Sequence, residues 1–137
     1  LFGYNPEFNK YNWNLSLDRI LKISELKIPF VPNTEIDWEE YFDDMIGVTK
    51  PENAQLENIV LHFFGKTARY IESKPIAGCQ KHRWLDSDTL EVELNLIINY
   101  ELERFILSYA NAVKVVKPKS LVEKVENRLK DSLQLYA

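Results

Sequence analysis

A single cysteine, Cys79, stands in this sequence. That excludes an internal disulfide framework and any multi-cysteine zinc site, and it suits a reducing compartment. Histidine is almost as scarce. His62 and His82 are the only two, and no Cys or His lies at metal-ligand spacing from either. No apolar run approaches the roughly 18–20 residues that a membrane span needs, and no basic-then-apolar leader opens the chain. With four glycines in all, there is no Gly-rich phosphate loop, and no nucleophile elbow or catalytic-triad spacing appears. These absences leave an enzyme unsupported, imply no cofactor, and point to a cytoplasmic protein with no membrane partner. The formal charge of −4 excludes a generally basic nucleic-acid coat.

What is present is a globular composition, with 45% hydrophobic and 12% aromatic residues over 137 positions. The clearest pattern runs from Thr89 to Val116. Leu90, Val92, Leu94, Leu96, Ile98 and Tyr100 alternate with Glu91, Glu93, Asn95 and Asn99, which predicts a strand with one buried face. From Glu101 the period changes. Leu102, Phe105, Ile106 and Tyr109 mark one stripe of a short helix, and Ala112 to Val116 reads as a further strand. Upstream, Ile59 to Phe64 is apolar on both sides and reads as a central strand, Lys66–Ser73 as a helix, and Gln80–Leu85 as a strand. Downstream, Pro118 opens a closing helix whose stripe is Leu121, Val125, Leu129 and Leu133. The order β-α-β-β-α-β plus a terminal helix over residues 55–137 is that of a ferredoxin-like domain.

Residues 1–33 read differently. Leu1–Tyr4 and Tyr11–Leu17 are strand candidates around an Asn-Pro turn, with the extended reading continuing toward Leu26. A lone hairpin is marginal in water, so this part calls for further strands. A start on LFGYN without Met also reads as a piece of a longer chain. Residues 34–54 form a linker. In it Asp37 is expected to cap a short acidic helix, with Trp38, Tyr41, Phe42 and Met45 on one face and Gly47 at its end. Residues 1–54 carry ten acids against five bases, and residues 55–137 eleven against twelve; this split fits two units with different roles.

One segment is basic. Lys66, Arg69, Lys74, Lys81 and Arg83 face Glu72 alone, with Tyr70 and Trp84 interleaved. This is the composition of a surface that pairs with phosphates and stacks on bases, and equally that of a charged helix edge with Trp84 in the core. His82 as a base contact or proton shuttle, and Glu91 with Glu93 as paired carboxylates, each have a simpler reading as residues on a half-exposed strand.

Several stretches in order resemble a known family. Leu1 followed by Phe2-Gly3-Tyr4, Leu15-Ser16-Leu17-Asp18-Arg19-Ile20, and Tyr41-Phe42 before Ile46-Gly47-Val48 are similar to the end of the WYL domain of bacterial transcriptional regulators. Ala68 to Pro75, Glu101 to Tyr109, and Val115 to Leu121 resemble the C-terminal extension (WCX) domain of the same proteins. The resemblance implies an α+β chain. Residues 1–33 would be the last strands of a partial Sm-like β-barrel, 34–54 the linker, and 55–137 the ferredoxin-like extension domain. It implies effector sensing, with a nucleotide or single-stranded nucleic acid as ligand, in a homodimer. Duplex DNA would be contacted only through an N-terminal winged helix-turn-helix that this sequence lacks. Arg69, Lys81, Arg83, Trp84 and Tyr70 are the candidate ligand contacts, and Arg19, the one arginine matching the WYL pattern, is their competitor. The alternative is a non-catalytic dimerisation or interaction module with no ligand of its own.

Overall fold

A computed structural model describes all residues, 1–137. The chain divides into two compact units, Leu1–Tyr41 and Phe42–Ala137. Together they form a mixed α/β protein with three α-helices, a two-stranded and a four-stranded antiparallel sheet, and no closed barrel.

In the first unit, strands β1 (Phe2–Asn5) and β2 (Lys10–Asn14) pair antiparallel, with Phe2 opposite Asn14 and Gly3 opposite Trp13. The turn rests on asparagines, as their short polar side chains allow. Asn5 accepts from the Glu7 N–H at 2.9 Å, and Asn9, at φ 49°, accepts from the Tyr4 hydroxyl at 3.0 Å. Aromatic contacts replace a core. Phe8 stacks on Trp13 with centroids 5.0 Å apart, Tyr4 meets Tyr11 at 4.8 Å, and Trp38 lies 5.1 Å from Phe2 and 5.2 Å from Tyr41. The extended reading toward Leu26 does not hold. The chain makes a 3-10 turn at Leu17–Arg19, and residues 20–37 have no regular structure.

The expected acidic helix is also absent, replaced by successive turns over residues 38–44. The cap itself is present: Asp37 accepts from the Glu39 N–H at 2.9 Å, and the Tyr41 N–H bonds the Asp37 carbonyl at 2.9 Å. One turn forms and does not propagate. Glu39 with Asp43, and Glu40 with Asp44, are like charges four residues apart, and so short a segment cannot offset the cost of helix nucleation.

The second unit contains the core. Strands β3 (Leu56–Phe64), β4 (Lys81–Trp84), β5 (Thr89–Ile97) and β6 (Val113–Lys117) form one antiparallel sheet in the order β4-β5-β3-β6. Helices α1 (Gly65–Ser73), α2 (Tyr100–Ser108) and α3 (Lys119–Gln134) complete the unit. The period of two does its work here. Ile59, Leu61 and Phe63 lie opposite Leu94, Val92 and Leu90, and all six are buried against Ala68 and Ile71 of α1, Leu102 and Ile106 of α2, and Leu121 and Val125 of α3. The alternate residues, Asn58, Val60 and His62 of β3 and Asn95, Glu93 and Glu91 of β5, form the other face.

Two boundaries differ from expectation. The strand ends at Ile97, and Tyr100 opens α2, because Asn99 caps the helix by accepting from the Leu102 N–H at 2.9 Å. The stripe of α3 stops being core at Val125, as Leu129 and Leu133 are exposed, the latter at 71%.

Segment 44–49 is fixed to this unit by polar contacts. The Ile97 N–H bonds the Asp44 carbonyl at 2.7 Å, and the buried Asn99 amide donates to the Ile46 and Thr49 carbonyls at 2.8 and 3.0 Å. Thr49 donates to Glu101 at 2.6 Å. Gly47, at φ 79°, passes so close that a Cβ there would sit 2.5 Å from Glu101 Cγ.

Candidate functional site

Strand β4 divides the predicted contacts between two faces of the sheet. Its register places Lys81 opposite Glu93 and Arg83 opposite Glu91, and His82 and Trp84 opposite the buried Val92 and Leu90. Successive strand residues point to opposite faces, so Trp84 and His82 share the helix side, and Lys81 and Arg83 lie on the other.

On the helix side, Trp84 packs against the core with its indole N–H donating to Glu72 of α1 at 2.8 Å. His82 stands 3.9 Å from the same carboxylate oxygen. The Arg69 guanidinium lies over the Trp84 ring, 5.5 Å from its centroid, a cation–π contact on one side of the indole. Tyr70, half-exposed, carries Lys74 at 5.2 Å from its own ring.

On the opposite face, Arg83 donates through Nε to Glu91 Oε1 at 2.6 Å, and His62 Nε2 meets Glu91 Oε2 at 3.0 Å. These two contacts, the Arg83 hydrogen bond foremost, hold the Glu91 carboxyl below the ordinary glutamate range. Glu93 accepts from Asn58 at 2.6 Å. Lys81, His82, Arg83, Glu91 and Glu93 line a shallow cavity of about 100 Å³. That is well below the ~300–1,000 Å³ of a typical small-molecule pocket. Its lining sets two basic side chains and a histidine against two carboxylates.

The structure therefore brings Arg69 and Trp84 into contact and sets Lys81 and Arg83 on a common face, but it does not assemble one patch. Arg19 belongs to the first unit, exposed on the 3-10 turn. The partner carboxylates Glu72 and Glu91 have no role in the sequence-based site. The cross-strand register that pairs Arg83 with Glu91 could have indicated the second. Missed altogether was a group on α2 and α3. Arg104 and Arg128 lie 5.6 and 5.3 Å from the Tyr100 ring, and Arg128 with Lys124 holds Glu103. The i,i+4 spacing of Tyr100 with Arg104 and of Lys124 with Arg128 was its only trace in the sequence.

No helix is long and apolar enough to cross a membrane. A family model described as the WCX domain matches residues 55–133, more than half of the chain. No curated protein matches it.

Proposed function

The chain belongs to the WCX domain family, and from that premise we propose that it is the regulatory part of a bacterial transcriptional regulator. On this reading it has no catalytic role and works in the cytoplasm as a homodimer. Residues 1–33 are then the closing strands of a WYL domain, and residues 55–137 are a ferredoxin-like extension domain. The latter is supported by the β-α-β-β-α-β order and the strand order β4-β5-β3-β6. Its signal would pass to a winged helix-turn-helix domain outside this sequence, through which duplex DNA is reached.

The reading extends to ligand. An anionic effector, a nucleotide or single-stranded nucleic acid, would be met at the β4 edge by Arg69, Lys81 and Arg83, with Trp84 or Tyr70 stacking on a base. The observation that carries this is the exposed guanidinium of Arg69 seated on Trp84, since an arginine fork can pair with phosphate while remaining on a ring. A second reading, an interaction module without a ligand, is favoured by Glu91, which already pairs with Arg83 through Nε and would repel a phosphate brought beside it.

Titrating short single-stranded DNA at two salt concentrations separates them. The effector reading expects binding that weakens in Arg69→Ala/Arg83→Ala. The slope of log affinity against log salt should fall by roughly 0.7 for each phosphate that is no longer neutralised. Arg19→Ala, titrated separately, tests the first unit. No binding at any salt favours the interaction module, and equal binding by all three proteins rules out both patches.

A further inference from the structure

We propose that the surface shared by α2 and α3 around Tyr100 binds an oxyanion carried on a planar ring. This goes beyond the regulator reading and does not depend on it. Glu103 is 7% exposed and is the carboxylate of the group. Its Oε2 accepts from Arg128 Nε at 2.8 Å and its Oε1 pairs with Lys124 at 3.5 Å, so both oxygens are taken. Tyr100, the first residue of α2, is 51% exposed, and two guanidiniums lie near it: Arg128 at 5.3 Å and Arg104 at 5.6 Å from the ring centroid.

Arg104 is exposed, and the ring is its one partner; no carboxylate pairs with it. Three cations thus stand against one buried anion, and the surplus positive charge is concentrated at a half-open aromatic face. Packing alone explains one arginine on a tyrosine. Glu103 accounts for the second, Arg128, and Arg104 is left with no carboxylate to offset its charge. A bound anion supplies that missing counter-charge. Arg128 uses Nε for Glu103, which leaves its terminal amino groups, with the whole Arg104 fork, for bidentate pairing with a carboxylate or phosphate. The flat Tyr100 ring offers a stacking surface to whatever ring carries the anion. One chemistry is specified, a planar aryl group bearing an oxyanion.

The test uses the full chain and amide and arginine Nε chemical shifts. Benzoate and phenyl phosphate are titrated separately, with inorganic phosphate as the ringless control. Saturable shifts at Tyr100, Arg104 and Arg128 are expected with a ring-bearing anion, at lower concentration than with inorganic phosphate. The tighter of the two identifies the carboxylate or the phosphate form. Arg104→Gln changes an exposed residue outside the core and should weaken binding about tenfold, the loss of one charge-assisted hydrogen bond. Tyr100→Leu should abolish the advantage of the ring-bearing anions over inorganic phosphate. In Arg69→Ala/Arg83→Ala the shifts at Tyr100, Arg104 and Arg128 should saturate as they do in the unaltered chain. The proposal is overturned by absence of saturable shifts with both aryl anions, by equal binding in Arg104→Gln, by inorganic phosphate binding as tightly as the aryl anions, or by loss of those shifts in the Arg69/Arg83 variant.

Discussion

Tyr11 and Trp13 in the first unit alternate with polar neighbours just as Leu90, Val92, Leu94 and Leu96 do in the second. The four residues of β5 are fully buried, whereas no residue of Leu1–Tyr41 is. The difference lies in what each sheet has to pack against. Strand β5 has β3 and β4 beside it and three helices over one face. The first unit has one hairpin, aromatic pairs, and an extended run in which Leu21, Ile23 and Phe30 are almost wholly open to solvent. Alternation defines a face, but a second layer is what buries it. At about 25 cal/mol per Å² of apolar surface removed from water, stability follows the second layer and so resides in Phe42–Ala137.

The largest test of this contrast separates the units. Segment 42–137 alone should melt in one cooperative transition, and segment 1–41 alone should show none, by circular dichroism and calorimetry. Trimming further to 55–137 should keep the cooperative transition but cost about 1–3 kcal/mol, because the buried Asn99 amide and the Ile97 N–H are then deprived of the carbonyls of residues 44, 46 and 49. A broad, non-cooperative melt of 42–137 would break the comparison outright.

Single substitutions should scale the same way. Phe63 is fully buried in β3 and meets Tyr109 edge-on at 5.5 Å, so Phe63→Ala should cost the second unit about 3–5 kcal/mol in urea unfolding. Trp13→Ala, which unstacks Phe8 in the first unit, should leave that transition where it was. Gly47→Ala should fall between the two. Its left-handed backbone and the approach of Glu101 together imply about 1–3 kcal/mol. If Gly47→Ala matches the unaltered chain in stability, segment 44–49 is not held against α2 as described.

The same contrast governs what could be read from the sequence. The second unit was legible because pattern and environment agree: Ile59, Leu61 and Phe63, and Leu90 through Leu96, fall on the face their period assigns. Failures came where a side chain acts on backbone far away. Asn99 looked like one more polar residue of an alternating strand, yet it caps α2 and anchors residues 46 and 49, partners at a sequence distance of about fifty that no local period encodes. In the acidic linker the cap residue was identified correctly, while the helix after it was overruled by like charges. At the candidate site, residue types were legible but pairing was not. A basic count over 66–83 cannot reveal that the sheet sends Arg69 and Trp84 to one side and gives Arg83 a carboxylate on the other.

That pairing gives the smallest effect and the sharpest readout. Glu91 is held below the ordinary glutamate range first by the Arg83 hydrogen bond and then by His62. A carboxyl whose folded value is depressed stabilises the fold fully above its unfolded value, and the contribution is lost as pH falls through the folded value. The window therefore lies in the acid range, below the usual glutamate midpoint. Arg83→Ala removes the larger cause and should move the Glu91 midpoint upward, with His62 still holding part of the shift, when side-chain carboxyl resonances are followed by NMR. Glu101 supplies an internal reference. Burial works to raise its value, but hydrogen bonds from the Thr49 hydroxyl and neighbouring backbone N–H groups outweigh that and lower it. None of these involves Arg83, so the Glu101 midpoint should stay put in the variant. Were Glu91 to titrate unchanged without Arg83, the guanidinium would not be held by that carboxylate. It would then be free for an external anion, and the objection to an effector at the β4 edge would weaken.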